Sequence, residues 1–226
     1  MEAAADPTFS QPAFAQLARE LAELGRYAHS RGWALGTSGN FSAVLSHEPL
    51  VLAISSSGLD KALLEAGQIV AVDGAGRMLS GAGRPSDETH LHLALVRARG
   101  AGAVVHTHSV WSTLLSESHA AAGGLVLEGF EMLKGLEGVR THQHREWLPI
   151  LENSQDLVEL AGAMNEMLCA NPAVHGFFLR RHGLYTWGAD LAGAKRHLEI
   201  LEFLLEVIGR KEFAMPASME AANGNR

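Results

Sequence analysis

Cys169 is the only cysteine in the chain, so no intramolecular disulfide can form, and a lone thiol fits a reducing compartment. Long apolar runs are missing too. Nothing approaches the roughly 20 residues that a membrane-crossing helix needs, and Met1 to Pro7 lacks the basic region and apolar core of a secretory signal. The expectation is a cytoplasmic protein with no membrane partner. Basic blocks are also absent, and the formal net charge is −7. The counterion release that drives nucleic-acid binding therefore has no source, and nucleic acid is not an expected partner.

Tyrosine is scarce at 2 residues, whereas histidine reaches 12. Neutral imidazole is the commonest metal ligand, so this allocation directs attention to where the histidines cluster. The remaining composition, 226 residues at 47% hydrophobic and 19% charged, fits a single globular domain with a substantial core. That domain is expected over 1–226, with its core at about 11–210 and a disordered tail from Ala214 onward.

After Ser10, a plausible cap, Phe14, Leu17, Leu21, Leu24 and Ala28 recur at helical spacing. Short strand-like segments follow at Phe41–Leu45, Leu50–Ile54 and Gln68–Val72, with Asp73 to Gly76 as a turn and a short helix from an Asp60 cap. Further helices are expected at Asp87–Arg99 behind Ser86, from Ser109, near Phe130–Leu136, at Ser154–Ala170, and from Asp190 to about Lys211. Strands are expected at Ala103–His108, Trp147–Leu151, His175–Arg181 and Leu184–Trp187. Strands this short, only partly separated by helices, predict a mixed, mostly antiparallel sheet covered by helices.

His106 and His108 lie two apart in a predicted strand, whose period of two points both imidazoles to one face. His182 stands at a predicted strand end beside Gly183, where the chain can turn and project a ligand. Three histidines would leave a coordination position open for substrate. On spacing alone, a His-x-His pair is more often structural or exposed than metal-binding.

Taken in order, the runs Gly36-Thr37-Ser38-Gly39-Asn40-Phe41-Ser42, Ser55-Ser56-Ser57-Gly58, Arg84-Pro85-Ser86, Val104-Val105-His106-Thr107-His108-Ser109 and Arg181-His182-Gly183 resemble the class II aldolase/adducin family. The resemblance spans about 11–210. It implies a three-layer α/β/α fold, one zinc ion per subunit on His106, His108 and His182, and a homotetramer with sites near subunit boundaries. It also implies that Thr37, Ser38, Gly39, Asn40, Ser56, Ser57, Gly58 and Ser86 bind a substrate phosphate. Read without the family, these are ordinary turns, since Gly, Ser and Asn dominate turns on conformational grounds. Lys61 could add charge there, although its default reading is a helix-surface lysine.

Narrower similarity lies in Glu131-Met132-Leu133-Lys134-Gly135, Leu148 to Gln155 and Arg180 to Gly188. These runs resemble the branch of the family that dehydrates a phosphorylated methylthio-ketose, and they imply Glu131 as acid/base, with partial burial raising its pKa. Glu88 aligns with the acid/base glutamate of the aldolase branch and lies one helical turn before His92, so carboxylates occupy both candidate places. Phe130, Met132 and Trp111 could receive the methylthio group or belong to the core. The family also offers sugar-phosphate aldolases of the fuculose or rhamnulose type, pentulose-phosphate epimerases and non-catalytic adducin-like scaffolds.

Overall fold

The computed structural model describes residues 9–213. The Ser10 side chain accepts from the Ala13 amide and starts helix α1 (Gln11–Ser30), which buries Ala18, Leu21, Ala22, Leu24 and Ala28. Four strands follow: β1 (Asn40–His47), β2 (Leu50–Ser55), β3 (Ile69–Asp73) and β4 (Met78–Ser80). After them come α2 (Thr89–Arg99), β5 (Ala103–Thr107), α3 (Val110–Ser118), β6 (Gly124–Glu128), β7 (Arg145–Leu151), α4 (Leu157–Ala170), β8 (Gly176–Leu179), β9 (Gly183–Gly188) and α5 (Leu191–Phe213). The expected tail from Ala214 lies outside the described residues. No helix among the described residues is long and apolar enough to cross a membrane.

The nine strands form one sheet in the order β4-β3-β2-β1-β5-β9-β8-β7-β6. Every pairing is antiparallel except β7 with β8, so the sheet is mixed and mostly antiparallel. Strands β4 and β6 were not anticipated. Strand β4 has three residues and no buried face, which leaves no apolar alternation to detect. Strand β6 follows a run of alanines and glycines that hides its start. Helix α4 begins later than expected, because the Asp156 carboxylate, not Ser154, accepts from the Val158 and Glu159 amides.

Side-chain alternation sends successive residues into two different cores. Ala103, Val105, Phe178 and Leu184 pack with residues of α1, α3 and α5, whereas Val104, Phe177 and Tyr185 pack with residues of α2 and α4. Helices thus cover both faces, and the fold is three-layer α/β/α. Helix α5 fully buries Leu198, Leu201, Leu204 and Leu205. Each contributes about 1.5–3 kcal/mol of transfer free energy relative to exposure, which anchors the helix behind β5 and β9.

Candidate metal centre and substrate cleft

His106 is fully buried on the α2/α4 face of β5, in register with Tyr185 of β9, and the two rings stack with centroids 3.9 Å apart. A carbonyl oxygen can only accept, so His106 Nδ1–H donates to Leu184 O at 3.0 Å and its Nε2 keeps the lone pair. His108 Nε2 lies 2.8 Å from His106 Nε2, and His182 Nε2 lies 3.3 Å from it. His182 Nδ1 is 3.2 Å from Asn153 Oδ1, a partner that orients its ring.

Burial, with His108 and His182 adding to it, pushes His106 well below its ordinary value, and burial likewise brings His108 to about 4. His182 is lowered by burial against an opposing pull from Glu88. Three neutral imidazoles therefore aim lone pairs at one point, an arrangement that a cation would relieve. Tetrahedral ligands about 2.0–2.1 Å from zinc stand about 3.4 Å from one another, close to the observed separations. The residues fit such an ion.

Gly183 admits this geometry: a Cβ there would lie 2.0 Å from Thr107 O and 3.0 Å from His106 Cε1. Arg181, just before His182, adopts a left-handed φ of 56° that a non-glycine residue rarely takes. Its amide donates to Ser116 Oγ at 3.0 Å, and Glu117 pairs with both Arg180 and Arg181, which holds the ligand-bearing turn in place.

Glu88 is the carboxylate beside the histidines, 3.7 Å from His106 Nε2 and 3.6 Å from His182 Nε2. It is oriented from behind. Asn40 Nδ2 donates to Glu88 Oε2 at 2.6 Å, while Asn40 Oδ1 meets His92 Nε2 and His92 Nδ1 meets Ser42 Oγ at 2.7 Å. Burial pushes His92 down to about 3, so this relay is neutral. Burial, with the Glu88 charge nearby, raises the Tyr185 phenol well above its ordinary range.

Thr37, Ser38, Gly39, Asn40, Ser56, Ser57, Gly58 and Ser86 all line one cavity of about 160 Å³, together with Lys61, Glu88 and His108. A second depression of about 440 Å³ shares Ser57, Ser86 and Glu88 and extends over Asn153, Gln155 and His182. Lys61 corrects the sequence reading. It is not a surface lysine but is 1% exposed, with Nζ donating to Leu59 O at 3.0 Å and Thr37 O at 3.4 Å. Burial lowers its pKa.

Residues 19–208 match the family model described as Class II Aldolase and Adducin N-terminal domain. The chain belongs to the class II aldolase and adducin family. Within it, the chain is 44% identical over 195 residues to methylthioribulose-1-phosphate dehydratase of Sorangium cellulosum, covering 85% of this chain and 91% of that one. It is also 44% identical over 192 residues to the protein of the same name from Pseudomonas savastanoi pv. phaseolicola, covering 84% and 93%. Among solved structures, YgbL of Escherichia coli superposes with a TM-score of 0.72 at 26% identity, covering 86% of this chain and 89% of that one. An L-fuculose 1-phosphate aldolase shares the fold, with a TM-score of 0.72 at 22% identity and coverage of 92% and 91%.

Against the family background, the position of Glu131 departs from expectation. It opens a 3-10 turn, Glu131–Gly135, with its side chain 73% exposed and Oε1 2.7 Å from Lys134 Nζ. It lines a separate apolar cavity of about 560 Å³ with Phe130, Met132, Ile200 and Phe203, and none of the three histidines borders that cavity. The expected partial burial and raised pKa are not found within one chain: the Lys134 ammonium draws the carboxyl below its usual value. Among the described residues, nothing covers the Glu131 side chain on this outer turn beyond Lys134 and His142. Trp111 packs against Gly209 of α5 rather than into the cleft.

Glu202 of α5 escaped the sequence reading, although a charge among Leu198, Leu201 and Leu205 at helical spacing was its signal. It is 1% exposed and accepts from Thr107 Oγ1 at 3.1 Å, behind the strand that carries His106. Burial pushes its carboxyl up to about 7 from the usual 4.5. The folded state thus holds this proton more tightly, so the stabilisation is complete below pH 4.5 and is lost as pH rises through about 7. A shift of that size corresponds to a loss on the order of 3 kcal/mol. Urea unfolding of the wild type and Glu202→Gln across that window checks it: the difference between the two should shrink or reverse as pH rises, because the glutamine does not titrate.

Proposed function

We propose that the chain dehydrates 5-methylthioribulose 1-phosphate to 2,3-diketo-5-methylthiopentyl 1-phosphate, a step of methionine salvage, with one zinc ion on His106, His108 and His182. The supporting observation is that two depressions sharing Ser57, Ser86 and Glu88, one lined by serine- and glycine-rich turns with buried Lys61 and the other reaching His182, meet at the cluster of three convergent histidines. The curated relatives' names point to the substrate.

The turns Thr37–Asn40 and Ser56–Gly58 present hydroxyls and backbone amides, which suit a dianionic phosphate, and Lys61 adds a desolvated positive charge. When bound, the ion would polarise the C2 carbonyl and make the C3 hydrogen acidic. Glu88, held by Asn40, is placed to take the C3 proton. A second acid must then protonate the C4 hydroxyl as it leaves; the resulting enol tautomerises to the diketone. We assign that role to Glu131 of a partner subunit in a homotetramer. The assignment fits an exposed carboxylate bordered by the apolar Phe130, Met132 and Phe203, which suit a methylthio group and a subunit contact alike.

Zinc-supplemented protein should convert methylthioribulose 1-phosphate to a product lighter by one water, read by mass and diketone absorbance. Cleavage of fuculose 1-phosphate without that dehydration would overturn the proposal in favour of an aldolase. Intact protein with no metal and no affinity for either ketose phosphate would favour a scaffold.

A further inference from the structure

A second group of ligating side chains lies at the other end of the sheet. His144 Nε2 is 2.8 Å from Glu146 Oε2, and His175 Nδ1 is 3.0 Å from the same oxygen. All three ligand atoms lie within 4.8 Å of one another. His144 immediately precedes β7, Glu146 is that strand's second residue, and His175 immediately precedes β8, the strand parallel to β7. The construction repeats that of the first cluster: two ligands alternating along one strand and a third from the end of a strand beyond.

The surroundings fix the rings as a metal site requires. The His175 Nε2–H donates to Glu137 O at 2.8 Å, which leaves Nδ1 facing the Glu146 carboxylate. The Glu137 amide in turn donates to His197 Nε2 at 3.0 Å, and His197 Nδ1–H donates to Trp187 O at 2.7 Å. This chain of backbone acceptors and rings is the kind of outer support that orients imidazole ligands. Glu146 is 1% exposed and accepts the His175 amide through Oε1, so a buried negative charge stands where two ring nitrogens converge. His144 is the most open of the three, its side chain 26% exposed against 14% for His175 and 1% for Glu146.

We infer that His144, Glu146 and His175 form a second metal site, for zinc or a similar borderline divalent cation. Two imidazoles and a carboxylate suit such ions. The site is structural: it ties the segment between the Glu131 turn and β7 to the start of β8, and it touches none of the substrate cleft described above. In its absence two protons would satisfy the same three atoms as an ion-paired triad, and the test must separate these states.

Full-length protein saturated with zinc and freed of excess ion should carry two equivalents per chain by elemental analysis. His108→Ala should retain one, and His108→Ala combined with His144→Ala should retain none. Cobalt-loaded His108→Ala should show the visible bands of a low-coordinate ion, and they should vanish in the double variant. Zinc should raise the melting temperature of His108→Ala but not of the double variant, which keeps the Glu146–His175 pair and so should still fold. One equivalent in the wild type, none in His108→Ala and no zinc-dependent rise in melting temperature would assign the triad to protons and overturn the inference.

Discussion

Replacing His108 with alanine should lower turnover by more than about 1,000-fold, equivalent to ~4 kcal/mol of transition-state stabilisation, and remove one equivalent of metal per chain. His108 Nε2 lies 2.8 Å from His106 Nε2, so its loss leaves two nitrogens where the proposed zinc site needs three. The fold should survive. His108 is only partly buried, and its amide bond to Trp33 O belongs to the backbone, which alanine preserves. Elemental analysis and steady-state rates at saturating zinc check this together. Near-normal turnover without bound metal would remove the ion from the reaction and with it the proposed chemistry.

The second large effect separates the two carboxylates. Glu88→Gln should abolish exchange of the C3 hydrogen with deuterated solvent, because Asn40 still orients the side chain but no base remains. Glu131→Gln should permit that exchange while losing dehydration by about 100-fold or more, the usual contribution of a positioned acid. Mixing decides which subunit supplies Glu131. If it acts across a boundary, co-assembly of equal amounts of His108→Ala and Glu131→Gln subunits should restore about a quarter of the sites, since half the cleft subunits then meet half the suitable neighbours. No recovery in verified mixed oligomers would mean that Glu131 acts within its own chain or not at all. Full retention of rate in Glu131→Gln would leave Glu88 as the sole acid/base.

The strand alternation that brings His106 and His108 together was legible because it depends only on spacing two residues in a β pattern. The turns Thr37–Asn40 and Ser56–Gly58 were legible as turns from composition, and only the family resemblance gave them a purpose. Lys61 was misread because a charged residue at a short helix start looks solvent-facing; one of the acceptors its buried ammonium meets is the Thr37 carbonyl, from 24 residues away. Tyr185 and His92 went unassigned for the same reason. Their partners, His106 and Asn40, come from neighbouring elements whose register no local pattern reveals. Strand β4 left no trace because neither of its faces is buried. Glu131 shows the limit most sharply: its motif was easy to find, but no motif states which surface, or which subunit, a turn will face.

The order of strands also has a temporal meaning. Strands β1 to β4 form a meander closed by local contacts, and β6 to β9 a second group, with β5 and β9 pairing at the seam. His106 and His182 are 76 positions apart and meet only across that seam. During synthesis the first two nitrogens leave the ribosome well before the third, so a nascent chain can offer an ion no more than a weak, open pair. Capture then waits for the slow, long-range closure of the sheet. Ion capture by the proposed site on His106, His108 and His182 should therefore be a late event, and its rate should report when the two halves have docked.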